Sequence, residues 1–137
     1  MSAREQSMGV SAREVLVAAV AARLKPLPLT VFDAAPVRGS VPHAVVEEPV
    51  LTDWSATGFR GCEGRLVVTL HDEGERPVRL RGLLASVEDA VPGIAPVLGR
   101  GWRVAQLRLA RSRLAMVAAG RWRGTAEFVV RMYREDA

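Results

Sequence analysis

The stretch from Glu63 to Val91 constrains the fold most, because it joins a segment of strand period directly to a segment of helix period. Between Arg65 and His71, the side chains of Leu66, Val68 and Leu70 alternate with those of Arg65, Val67, Thr69 and His71, the pattern of a strand with one buried face. Asp72, Glu73, Gly74 and Glu75 then supply a turn. Pro77 suits the first turn of a helix, where no N–H is needed. Leu80, Leu83, Leu84, Val87 and Val91 recur at helical spacing, with Arg79, Ser86 and Asp89 on the opposite side, and Pro92 and Gly93 end the run. Neither half buries its apolar side alone, so each is the natural cover for the other.

A chain of 137 residues, 49% of them hydrophobic, predicts one ordered domain with a sizeable core. Its single cysteine, Cys62, excludes an internal disulfide and a multi-cysteine zinc site. The apolar patch from Val15 to Ala22 is short and follows Glu5 and Glu14, which is unsuited to a signal peptide, and no stretch has the length of a membrane span. The expectation is a soluble protein, cytoplasmic until it is used. Charge is unevenly placed. From Arg100 onward nine arginines face three carboxylates, whereas the first 99 residues hold ten basic and twelve acidic side chains. Such a split suits either a nucleic-acid surface or a contact between complementary subunit patches.

Along the chain, residues 1–10 lack apolar periodicity and are expected to form a flexible tail, with a single domain over 11–137. Ser11 and Glu14 have capping-box spacing, which predicts a helix from Ser11 to about Leu24. That helix is apolar almost all round. A neighbouring subunit would cover its outer side, or its alanines tolerate exposure. Pro26 and Pro28 stop it, Thr30 to Phe32 is a short extended piece in a connection, and Val41 to Leu51 holds a strand fenced by Pro42 and Pro49. Thr52 to Gly61 reads as a loop carrying Trp54 and Phe59 exposed, aromatics that either anchor a partner or fold over the rim of the core. Ile94 to Gly101 is a second loop. Trp102 to Val117 fits a helix (Leu107, Ala110, Leu114, Val117) or a strand (Val104 and Gln106 against Ala105, Leu107 and Leu109). Thr125 to Tyr133 decides for a strand, since its alternation of Ala126, Phe128, Val130 and Met132 with charged neighbours needs a partner, and Gly120 permits a hairpin turn. The predicted fold is α+β: a four-stranded, mostly antiparallel sheet with two helices packed on one face, in the order α-β-β-α-β-β.

Chemistry is sparse. His43 and His71 lie on different strands without a carboxylate or cysteine at ligand spacing, Glu47 and Glu48 face opposite sides of a strand, and no glycine-rich phosphate loop is present. Cys62 sits between Gly61 and Gly64 with no histidine near it in sequence. These observations argue against an enzyme and for no cofactor or metal. The C-terminal arginines, with Trp102, Trp122 and Tyr133 available for stacking, keep a basic nucleic-acid-binding module as the alternative, although no recognition motif accompanies them.

From about Val15 to Glu135 the chain resembles the tail terminator (tail completion) family of long-tailed phages and gene transfer agents. The resemblance rests on the order of an N-terminal helix, Val31-Phe32-Asp33, Pro42-His43-Ala44-Val45-Val46, Asp53-Trp54-Ser55, the strand and helix described above, and the closing Phe128-Val129-Val130-Arg131-Met132-Tyr133. His43 departs from it, in a place where a tyrosine is expected. The resemblance implies a non-enzymatic subunit of a hexameric ring that caps the tail tube, joins it to a head stopper or connector protein, and lets DNA pass without sequence-specific binding. A ring closed head-to-tail needs two different patches on each subunit, and the acidic first part and arginine-rich end are candidates. Strand edges of the C-terminal hairpin are candidates for addition to a neighbouring sheet. Trp54, Phe59, Arg108, Arg111, Arg113 and Trp122 are the residues expected at the subunit or tube interface.

Overall fold

The computed structural model describes residues 3–36 and 38–135, with the side chains of residues 3–10 apart. Its elements are α1 (Ala3–Leu24), β1 (Thr30–Phe32), β2 (His43–Val46), β3 (Val50–Asp53), β4 (Phe59–Glu73), α2 (Val78–Ala90), β5 (Arg103–Ala118) and β6 (Arg121–Glu135). They form an α+β domain, with both helices on one face of a mostly antiparallel sheet. The sheet has six strands in place of the four expected, in the order β1-β2-β4-β6-β5, with β3 also paired to β4.

β4 and β6 are the axis of the molecule. They pair antiparallel without a register break from Phe59 opposite Glu135 to Glu73 opposite Arg121. Leu66, Val68 and Leu70 on β4, and Ala126, Phe128, Val130 and Met132 on β6, are buried as their alternation predicts. Against them lie Leu80, Leu83, Leu84 and Val87 of α2 and Ala12, Leu16, Val17, Val20 and Leu24 of α1. α2 packs closely on β6 at Gly124, where a Cβ would stand in ordinary contact, 3.4 Å from the Leu84 methyls.

Four expectations need correction. β4 runs through Gly61 and Gly64, expected in a loop and at its border. Here the glycines mark close backbone approach, because a Cβ on Gly64 would overlap the Val50 carbonyl, and one on Gly61 would sit 2.6 Å from the Trp54 carbonyl oxygen. The single strand from Val41 to Leu51 is two. Val46 stands opposite Val68 but Val50 opposite Arg65, so one extra residue is accommodated around Glu47–Pro49 while β2 and β3 follow the same edge of β4. Thr30 to Phe32 is not merely a connection but an edge strand, parallel to β2.

The fourth correction concerns α1, which starts at Ala3 and not at Ser11. Ser11 is therefore inside the helix, buried, with no hydrogen-bond partner for its hydroxyl among the described residues, and the capping box does not operate. Residues 3–10 of the expected tail belong to this helix, and Met1 and Ser2 lie outside the described residues. The outer side of α1 is partly bare, as the sequence suggested: Ala18 and Ala22 are exposed, and with Val15, Ile94 and Leu98 they line a groove.

β5 explains its own ambiguity. It pairs with β6 through register shifts at Ala105, Ala110 and Val117, so no strict alternation survives along it. Val104 and Gln106, expected on one side, face opposite ways because the shift lies between them. The hairpin turns at Gly120, with φ 70°, and its tip is tied to the turn before α2 by Gly74 N–H to the Gly120 carbonyl (2.9 Å) and by the Trp122 indole N–H to the Gly74 carbonyl (3.0 Å).

Two substitutions test this packing by chemical denaturation. Gly64→Ala should destabilise the fold by about 3 kcal/mol, because it forces β3 off β4. Gly82→Ala, inside α2 with nothing near its Cβ position, should stabilise by about 0.5–1 kcal/mol. A neutral Gly64→Ala would contradict the close crossing.

Candidate functional site: the open face of the sheet

One face of the sheet is covered by helices, and the other presents charge. Residues directly opposite across a ladder share a face, so Arg108, Arg111 and Arg113 of β5, opposite Val129, Glu127 and Thr125 of β6, all stand on the open side. Plain alternation would have split Arg108 from Arg111. The extra residue Ala110 brings them together.

Carboxylates answer only part of this charge. The Arg111 Nε donates to Glu127 Oε2 at 2.8 Å, with Arg65 Nη1 3.8 Å from the same oxygen, and the Arg131 Nε donates to Glu63 Oε2 at 2.7 Å. Among the described residues, Arg108, Arg113 and Arg123 have no carboxylate partner. The ion pairs are half exposed and individually weak, so the face acts as a positive field more than as a clasp.

At one end of this face Trp54 and Phe59 meet edge to face, with ring centroids 5.6 Å apart; Phe59 also meets Tyr133, and the Arg131 guanidinium lies 5.1 Å over the Trp54 ring. Trp54 and Phe59, the first residue of β4, are half-buried and folded back over the rim, the second of the two outcomes expected of them. Six interface candidates thus divide: Trp54 and Phe59 form one cluster, Arg108, Arg111 and Arg113 one row, and Trp122 lies on the covered side, packed against the core and bonded to Gly74. Trp102, proposed for base stacking, is 1% exposed and cannot reach a base; the Arg134 guanidinium lies 5.3 Å from its ring.

The other end of the open face holds an arrangement that sequence spacing could not reveal. His43 and His71 are register partners, and their rings stack with centroids 4.8 Å apart. His71 is in turn opposite Arg123. Burial, His43 and Arg123 all hold the His71 imidazole below the usual 6.5, with Glu47 opposing them. On the covered side of the same strand end, the Arg79 side chain donates to both oxygens of buried Asp72, and with the Glu73 N–H holds that carboxyl below the usual carboxylate range. Burial pushes the Cys62 thiol up to about 11, which leaves it protonated and poorly nucleophilic.

The model of the family described as tail completion protein gp17 matches residues 12–133. The chain belongs to that family. Its members are structural virion components, which agrees with the resemblance seen in the order of the sequence segments. A solved structure, described as the virion of a native gene transfer agent particle, contains a chain of the same fold. The two align with TM-score 0.74 at 24% identity, over 88% of this tail completion chain and 96% of the other. No curated protein matches. The family match takes in the open face from β2 to Tyr133, and among the described residues no helix is long and apolar enough to cross a membrane.

The histidine stack gives a pH dependence. Because the folded state holds His71 below 6.5, the unfolded chain takes up a proton that the folded chain resists, so this contribution is full above pH 6.5 and declines as pH falls below it. His71→Asn should therefore gain melting temperature relative to the wild type between pH 7.5 and 5.5. Parallel melting curves across that range would contradict the assignment.

Proposed function

We propose that this chain is the tail terminator of a phage-like particle or gene transfer agent, forming a hexameric ring that caps the tail tube and joins it to the head stopper or connector protein. The observation that carries the reading is a family-typical domain closed by helices on one face but left with an arginine-bearing open face and a long uncovered edge strand, β5. A subunit of a closed ring needs surfaces of this kind, since it meets two neighbours through different patches and two further components above and below. The buried, unreactive Cys62 and the stacked histidines offer no nucleophile or paired acid and base, so the domain's chemistry is recognition. DNA passes through the ring without being held in sequence-specific contacts.

Deleting the gene from a particle-producing strain tests this. Tubes of uncontrolled length should accumulate beside unjoined filled heads, as counted by electron microscopy, and expression in trans should restore both length control and joining. Normal particles in the deletion strain would overturn the reading.

Arg108, Arg113 and Arg123, without a carboxylate partner among the described residues, favour a second reading, a basic nucleic-acid-binding module. It predicts that the isolated subunit binds duplex DNA with log K falling against log salt with a slope of about −0.9 per phosphate contact. The ring reading predicts no such binding at physiological salt.

A further inference from the structure

The sheet ends in two edges of opposite charge. On β5, only the start of the outer side is occupied: Val104 N–H donates to the Pro96 carbonyl at 2.8 Å, and Val97 bridges to Arg103. From Gln106 to Ala118 the outer backbone has no partner among the described residues. Every charged side chain on β5 is an arginine.

The opposite edge is acidic. Between Thr30 and Asp53 the charged side chains are Asp33, Glu47, Glu48 and Asp53 against Arg38 alone. Glu48 pairs with Arg13 at 3.5 Å, and Asp53, opposite the core residue Cys62, stands on the helix-covered side; Glu47, which accepts from the Thr69 hydroxyl at 3.1 Å on the open side, has no arginine or lysine partner among the described residues. β3 pairs with β4 on one side and has no strand on its other side among the described residues, with Val50 69% exposed.

The lengths also agree. Register shifts cut β5 into regular stretches, Gln106–Leu109 and Arg111–Met116, of four and six residues, and β3 is four residues long. An edge this long left bare in a monomer invites pairing.

We propose that β5 of one copy docks along the β3 edge of the next, its open-face arginines Arg108, Arg111 and Arg113 meeting Glu47, which stands on the same face. The inference rests on the ring reading and names the contact within it. Because the two edges differ, each copy uses one for each neighbour, and the contact propagates head-to-tail until it closes. Exposed ion pairs add little affinity singly, so here they select the partner edge and suppress pairing of like edges, while the backbone edges supply the attachment.

Cysteines at two exposed edge positions test the geometry in assembled particles. A chain carrying both Ala110→Cys and Thr52→Cys should form an oxidation-dependent ladder of oligomers ending in a closed species, while either cysteine alone should give none. Charge exchange tests the selectivity. R108E and E47R alter side chains that have no ionic partner among the described residues, so each variant should fold, with E47R giving up only the Thr69 hydrogen bond. Each should nevertheless lower the yield of complete particles by about tenfold or more. R108E and E47R together in one chain should recover most of that loss.

A ladder from either single cysteine, or no ladder from the pair, overturns the edge assignment, as does a folded R108E/E47R variant as defective as its parents. Antibody labelling of wild-type particles separates the two levels. If the chain is absent from the tail end, the ring reading itself fails; if it is present while the exchanges have no effect, only the β5-to-β3 contact fails.

Discussion

Everything in this domain depends on the uninterrupted pairing of β4 with β6. Fifteen residues of each strand run side by side, and this ladder supplies the flat apolar floor on which both helices settle. It also fixes what is left over. The even spacing of its side chains commits one face to Leu66, Val68, Phe128 and Val130, so the intervening charged residues have to emerge together on the other face. β2 and β3 follow one flank of this axis and β5 the other, which places acidic and basic segments, distant in sequence, at opposite ends of one sheet.

Those parts of the fold in which local period and tertiary burial agree were legible from the sequence. Leu66-Val68-Leu70, the α2 stripe and Ala126 to Met132 all have a single partner surface and a clean period, and each lies where the pattern predicts. Legibility failed where a partner chain segment overrode a local signal. Gly61 and Gly64 look like loop residues because glycine weakens a strand, yet in this sheet they are the only residues that fit beneath β3 and the Trp54 backbone. β5 looked half helical because three register shifts in sixteen residues mimic a longer period. Ser11 looked like a cap because a buried hydroxyl in a helix leaves the same trace in sequence as a hydroxyl at its start.

The candidate surface was legible in kind and not in arrangement. The crowding of arginine toward the C-terminus was visible, but the gathering of Arg108, Arg111 and Arg113 on one face needs the extra residue at Ala110, which only the pairing partner reveals. Trp122 shows the converse. Its size and setting suggested a contact residue, while its indole N–H holds the hairpin tip to the turn before α2, so its work is internal. The stacked histidines had no signal in spacing at all, since His43 and His71 meet through strand register.

A subunit organised this way spends its helices on one face of the sheet and leaves the other face uncovered among the described residues. That division is the physical content of a tail completion protein as proposed here. A reconstruction of intact particles from a strain producing this chain tests it most directly. The account predicts a closed ring of identical copies between tail tube and head, with β5 of each copy against the β3 edge of its neighbour. Density at that junction that this chain does not fit, or a ring whose copies meet through their helix-covered faces, would contradict it.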